Sequence, residues 1–143
     1  MRFWDSSAIV PLVIRETTSA DITKLYAEDS QIVVSGTTSV EVWGAIARRR
    51  REGDLRTPDL RKARERMSTL RKDWAEVDDV EAIRTRAVRL VEVHPLRSAD
   101  AMQLAAALTA LQDRPAGFSF VTLDERLGEA AEAEGFRILP IEA

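Results

Sequence analysis

The stretch Gln31-Ile-Val-Val-Ser35, followed after two residues by Thr38-Ser-Val-Glu41, decides the fold. A β-branched run bounded by polar residues reads as a short buried strand. Thr38 then opens a helix that runs to about Glu52 and is ended by Gly53. The same strand-into-helix grammar recurs on both sides. Arg2 to Asp5 suits a strand and leads into a helix over Ser6 to Ile14, where Pro11 is tolerable only in the first turns. Phe118-Ser-Phe-Val-Thr122 is a second clear strand, followed by a helix over Glu125 to Glu134, a stop at Gly135 and a last strand over Phe136 to Leu139. Helices are expected over Thr18 to Glu28, Pro58 to about Lys72, Val80 to Val93 (stopped by Pro95) and Ser98 to Gln112. Trp74 to Val77 suits either a short strand or an extended link. Strands alternating with helices predict an α/β fold of three layers, with a central parallel sheet of four or five strands and right-handed crossovers. Ligands in such sheets bind outside the carboxyl ends of the strands, where strand order switches.

The 143 residues, 45% hydrophobic and 31% charged, suit one domain over 1–143, and no repeat or linker divides them. With no cysteine and one histidine, a disulfide scaffold, a thiolate metal site and any two-imidazole centre are excluded. The seven-residue apolar stretch from Ala8 to Ile14 is too short to span a bilayer. No signal-peptide pattern precedes it. The expectation is a cytoplasmic protein with no membrane partner.

The net charge of -3 looks wrong for a nucleic-acid binder, but the total hides its distribution. Arg48 to Lys72 holds eleven basic and four acidic residues, a local charge of +7 against -10 elsewhere. Arg48, Arg49, Arg50 and Arg51 form its centre. The segment is either a solvated helical face or a surface that tracks phosphates, and the second reading gains weight only beside a matching active site.

Four acids provide such a site. Asp5 closes the first strand, Glu41 sits in the first turn after the second, and Asp124 follows the Phe118 strand; all three therefore project at the carboxyl edge. Asp100, in the first turn of the Ser98 helix, joins them if that helix starts there. Each has a simpler explanation. Thr38 to Glu41 fits a capping box, Asp100 complements a helix dipole, and Asp5 and Asp124 suit N-caps. Taken together, four converging carboxylates repel one another unless a cation neutralises them. Oxygen ligands without cysteine or a second histidine point to Mg²⁺ or Mn²⁺. Such ions, alone or in pairs, hydrolyse phosphodiesters. Ser6, Ser7 and Thr122 place short hydroxyls beside the acids, for support of the ligands, phosphate contact or ordinary capping.

Phe3-Trp-Asp-Ser-Ser-Ala-Ile-Val10, Thr38 to Glu41, Leu96-Arg-Ser-Ala-Asp-Ala-Met-Gln-Leu-Ala-Ala106 and Phe120-Val-Thr-Leu-Asp124 occur in the order found in PIN domains. Leu127-Gly-Glu-Ala-Ala-Glu-Ala-Glu-Gly-Phe136 matches that family's last helix and turn. Over essentially its whole length the chain resembles the VapC-type toxins of toxin-antitoxin pairs. The resemblance implies a PIN-like fold and an Mg²⁺- or Mn²⁺-dependent endoribonuclease with Asp5, Glu41, Asp100 and Asp124 as its acidic set. It also implies a homodimer inhibited by a VapB-type antitoxin whose tail occupies the active-site groove. Trp4 is bulkier than the aliphatic residue expected before the first acid, and Glu125 leaves open whether a fifth acid joins.

His94, before Pro95, reads as a helix C-terminal residue, and Trp43 and Trp74 as packing residues. The apolar spacing of Leu104, Ala105, Leu108 and Leu111 reads as core or dimer interface. The competing function is a non-catalytic α/β module whose acids only cap helices and which binds RNA or a protein through the 48–72 segment.

Overall fold

The computed structural model describes residues 1–141 and contains five strands and seven helices among them. In chain order they are β1 (Arg2–Trp4), α1 (Ser6–Val13), α2 (Ser19–Glu28), β2 (Ile32–Ser35), α3 (Thr38–Arg51) and α4 (Thr57–Asp73). They continue with β3 (Ala75–Val77), α5 (Val80–Val93), α6 (Ser98–Ala110), β4 (Ser119–Val121), α7 (Glu125–Ala133) and β5 (Arg137–Leu139). All neighbouring strands are parallel, in the order β3-β2-β1-β4-β5.

Side chains alternate across each strand and so build two separate cores. Trp4, Ile32, Val34, Val121 and Leu139 face the layer made by α1 to α4. Phe3, Val33 and Phe120 face α5, α6 and α7, and Phe3 stacks on Phe120 with ring centroids 5.2 Å apart. Strand order runs outward from β1 to β3, then jumps back to β4. The switch therefore lies between β1 and β4, the two strands that lead into Asp5 and Asp124.

The local chemistry of the ends follows from sequence. Asp79 caps α5 by accepting from the Ala82 amide. Arg56 precedes α4, whose Asp59 accepts from the Arg56 amide, and Pro58 sits in the first turn, where its missing N–H costs nothing. Pro11 falls in the second turn of α1, and that helix ends two residues later.

Most element ends lie within a residue of the sequence reading, and two of the differences have a clear cause. The α6 helix stops at Ala110 instead of Gln112, because Gln112 (φ 50°) and Asp113 (φ 62°) adopt the left-handed conformation that reverses the chain. Trp74 is the residue that caps α4 and packs in the core, so β3 begins one residue later. Trp4 is fully buried in the α1–α4 core. Leu104, Ala105 and Leu108 belong to the other core, with Leu111 packed partly buried against it.

Candidate active site

Asp5 emerges from the end of β1 and is only 3% exposed. It stands at the N-cap of α1 but makes no side-chain cap hydrogen bond. Instead its carboxylate accepts from three hydroxyls: Ser7 Oγ, Thr122 Oγ1 at 2.7 Å and Ser6 Oγ at 3.4 Å. Those hydroxyls are themselves held. Ser7 Oγ accepts from the Leu123 amide at 3.0 Å, and Thr122 Oγ1 from the Asp124 amide at 3.0 Å. Thr122 thus ties the β4 end to the β1 end. Burial pushes the Asp5 carboxyl above its ordinary value; the Ser7 and Thr122 hydroxyls oppose the rise and the nearby charge of Glu41 adds to it.

Glu41 departs from the capping-box expectation. The N-cap of α3 is Thr37, with no side-chain cap bond, and the Glu41 carboxylate reaches across the site. It accepts from Ser6 Oγ at 2.9 Å, Thr37 Oγ1 at 2.9 Å and Gln103 Nε2 at 3.0 Å. Its partners lie on α1, ahead of α3 and on α6, so this one side chain ties both helical layers together at the sheet edge.

Asp100 and Asp124 lie in an adjoining cleft of about 340 Å³, lined also by Pro95, Arg97, Glu125 and Arg126. The Asp100 carboxyl is raised first by burial and next by the charges of Asp124 and Glu41, with Arg97 opposing. Asp124 does cap its helix, accepting from the Leu127 amide at 3.1 Å through Oδ1. The three pairwise influences, Asp5 with Glu41, Glu41 with Asp100, and Asp100 with Asp124, run through all four acids in series. Glu125 lines the same cleft but is exposed.

No three acidic or histidine side chains among the described residues stand close enough to share one ion. The four acids therefore form no ready-made cage; a hard cation of the Mg²⁺ type takes only one or two carboxylates directly and completes its shell with water and phosphate. The donor set is all oxygen. The lone histidine caps α5 and shares a 2.7 Å hydrogen bond between its Nε2 and Glu134.

The four arginines of the basic run end α3, with Arg48 seven residues, or about 10 Å, along the axis from Glu41. They are not equivalent. Arg49 is engaged by Glu16 at 2.7 Å and Asp54 at 3.6 Å, whereas Arg48, Arg50 and Arg51 are exposed. Arg50 and Arg51 rim a groove of about 390 Å³ between α3 and α4, with Trp43, Ile46 and Leu60 on its walls and Arg64 opposite.

Two features escaped the sequence reading. Gln103 sits three residues after Asp100, hence on the same helix face, but nothing in its neighbours announces a contact with Glu41. Arg97 and Arg126 share the cleft with Asp100 and Asp124; each stands within three residues of an acid, a spacing that could have drawn attention to them.

Comparison with known proteins matches this arrangement to a family. The PIN domain model covers residues 2–133. Ribonuclease VapC45 and Ribonuclease VapC49, from two strains of Mycobacterium tuberculosis, are each 33% identical to the chain over 141 residues, covering 96% of it and 94% of the relative. A toxin-antitoxin complex from Klebsiella pneumoniae contains a chain of the same fold, at a TM-score of 0.56 and 18% identity, with 87% of each chain covered. The chain belongs to the PIN-domain family, in its VapC-type branch.

Proposed function

We propose that this protein is the toxin of a type II toxin-antitoxin pair and acts, as one domain, as an Mg²⁺- or Mn²⁺-dependent endoribonuclease. The observation that carries the reading is the run of mutually repelling carboxylates Asp5, Glu41, Asp100 and Asp124 at the switch point of the sheet. Asp5 and Asp100 are held above the ordinary carboxylate value first by burial and then by the charges of Glu41 and, for Asp100, Asp124, the condition that a bound cation relieves. Kinship with VapC ribonucleases supports RNA as the substrate and a VapB-type antitoxin as the partner.

The bound ion would supply activation of water and stabilisation of the leaving oxygen. One or two of Asp5, Glu41, Asp100 and Asp124 would hold it directly, and the others through water. Ser7 and Thr122, with Ser6, fix the orientation of the Asp5 carboxylate. Arg48, Arg50 and Arg51 take RNA phosphates and bring the strand past Glu41; Arg49, already paired, serves α3 instead. Water attacks the phosphorus in line and the bond to the 3′ oxygen breaks, leaving a 5′-phosphate and a 3′-hydroxyl. The 2′-hydroxyl takes no part.

No helix among the described residues is long and apolar enough to cross a membrane, which is compatible with action in the cytoplasm. Exposed Val80, Val88 and Val91 on one side of α5 offer apolar surface for the homodimer.

The test is cleavage of a defined RNA with Mn²⁺ by the wild type and by Asp5→Asn. The nearly isosteric variant is expected to lose roughly 10²- to 10³-fold in kcat/KM, the scale of one lost electrostatic contact to the transition state. Equal rates would remove Asp5 from the site. A 2′-deoxy nucleotide at the cut position should still be cleaved.

A further inference from the structure

Gln103 is 1% exposed in the middle of α6, whose other buried positions are all alanine or leucine. Its Nε2 donates to Glu41 Oε1 at 3.0 Å and to Thr38 Oγ1 at 3.3 Å. Its Oε1 is buried with no partner. The amide therefore gains one side of its hydrogen bonding and forfeits the other. An unpaired buried carbonyl oxygen carries a desolvation penalty that nothing nearby offsets. As a packing residue Gln103 is a poor choice, since methionine or leucine would fill the same volume without that penalty.

Its position explains what the penalty supports. The α6 helix lies on one face of the sheet and α3 on the other. The Gln103–Glu41 hydrogen bond crosses between those layers at the carboxyl edge. Gln103 is also one turn from Asp100 on the same helix face. One rigid helix thus presents Asp100 and, a turn deeper, the group that orients Glu41. The amide has only one stable orientation, because turning it over would aim Oε1 at the Glu41 carboxylate.

We infer that Gln103 is a positioning residue, which sets the Glu41 carboxylate relative to Asp100 at the expense of stability. The inference rests on the ribonuclease reading above and adds a residue to it. Supporting groups of this kind typically change metal affinity or activity 10- to 100-fold when removed.

Gln103→Met keeps the volume and removes both the donor and the orphaned oxygen. Its kcat for RNA cleavage is expected to fall roughly 10- to 100-fold with KM unchanged. Its Tm, measured without divalent ions, is expected to equal or exceed that of the wild type. Thr38→Val, which removes only the second acceptor, should leave kcat within about two-fold, since the Glu41 contact persists. An unchanged kcat in Gln103→Met overturns the inference. So does a kcat loss accompanied by a matching fall in Tm, which marks a merely structural role. If the wild type itself cleaves no RNA with Mn²⁺ or Mg²⁺, the ribonuclease reading fails instead, and the two failures are distinct.

Discussion

At the carboxyl edge of the sheet, Asp5 and Asp100 are held above the ordinary carboxylate range; around the packed ends of α5 and α7, Asp113 and Glu134 are held below it. Both regions are clusters of acids beside a cavity. The difference is the partner. Arg86 grips Asp113 with two parallel hydrogen bonds of 2.7 and 2.8 Å, and Arg89 and His94 share Glu134. At the sheet edge Asp5 and Glu41 meet hydroxyls and an amide, and Arg97 beside Asp100 only partly opposes the effect of its burial. The completed cluster lines the larger cavity, about 480 Å³ against about 340 Å³ for the cleft at Asp100. Acids whose burial and mutual charge are not offset by paired cations are the better candidates for chemistry.

That contrast can be broken by substitution. Glu134→Gln removes the negative charge and one of the two acceptor oxygens that hold Arg89 and His94, and should destabilise the fold by about 1–3 kcal/mol in urea unfolding, with kcat of RNA cleavage unchanged. Asp5→Asn should do the reverse, abolishing most cleavage while raising stability at neutral pH in the absence of divalent ions. Loss of cleavage in Glu134→Gln at full folding would erase the distinction between the two corners.

The pH dependence of stability should also divide them. Asp5 and Asp100 bind protons more tightly folded than unfolded, so their contribution falls as pH rises from the unfolded carboxylate range of about 4 through their raised folded values. Asp113 and Glu134 bind protons less tightly folded. Their contribution is present above about 4 and is lost as pH falls through their lowered folded values. Urea midpoints of the metal-free protein from pH 3 to 8 should therefore lose part of their decline toward high pH in Asp5→Asn. In Asp113→Asn they should lose part of their decline toward low pH. Parallel profiles for the two variants would refute the assignment.

The smallest effect concerns the arginines. In the cleavage-deficient Asp5→Asn background, Arg50→Ala should lower the slope of log affinity against log salt for single-stranded RNA by about 0.7, one phosphate contact. Arg49→Ala should leave that slope unaltered, because Glu16 and Asp54 already neutralise it. Equal slopes for both would mean that the ion pairs do not decide which arginines reach RNA.

Much of the fold was legible because its signals are local. Ile32 to Ser35 declares a strand through β-branching, and Gly53, Pro95 and Gly135 declare the ends of three helices. The acids at strand ends were legible for the same reason, since a parallel sheet sends every strand end to one edge. Which of them cap helices was not. Asp124 does, whereas Asp5 and Glu41 turn to hydroxyls and an amide brought in from other elements.

The sequence by itself determined the alternating α/β pattern, the four acids near the strand ends, the absence of thiol or paired-imidazole chemistry and the split of charge behind a total of -3. Those depend on residue type and short spacing. Only the tertiary structure decided that Thr122 would reach Asp5 across 117 positions, that Gln103 would reach Glu41 across 62, and that Arg49 would be spent on Glu16. Hydrogen bonds of a few ångströms are set by how layers pack against the sheet, and no periodicity along the chain encodes that distance.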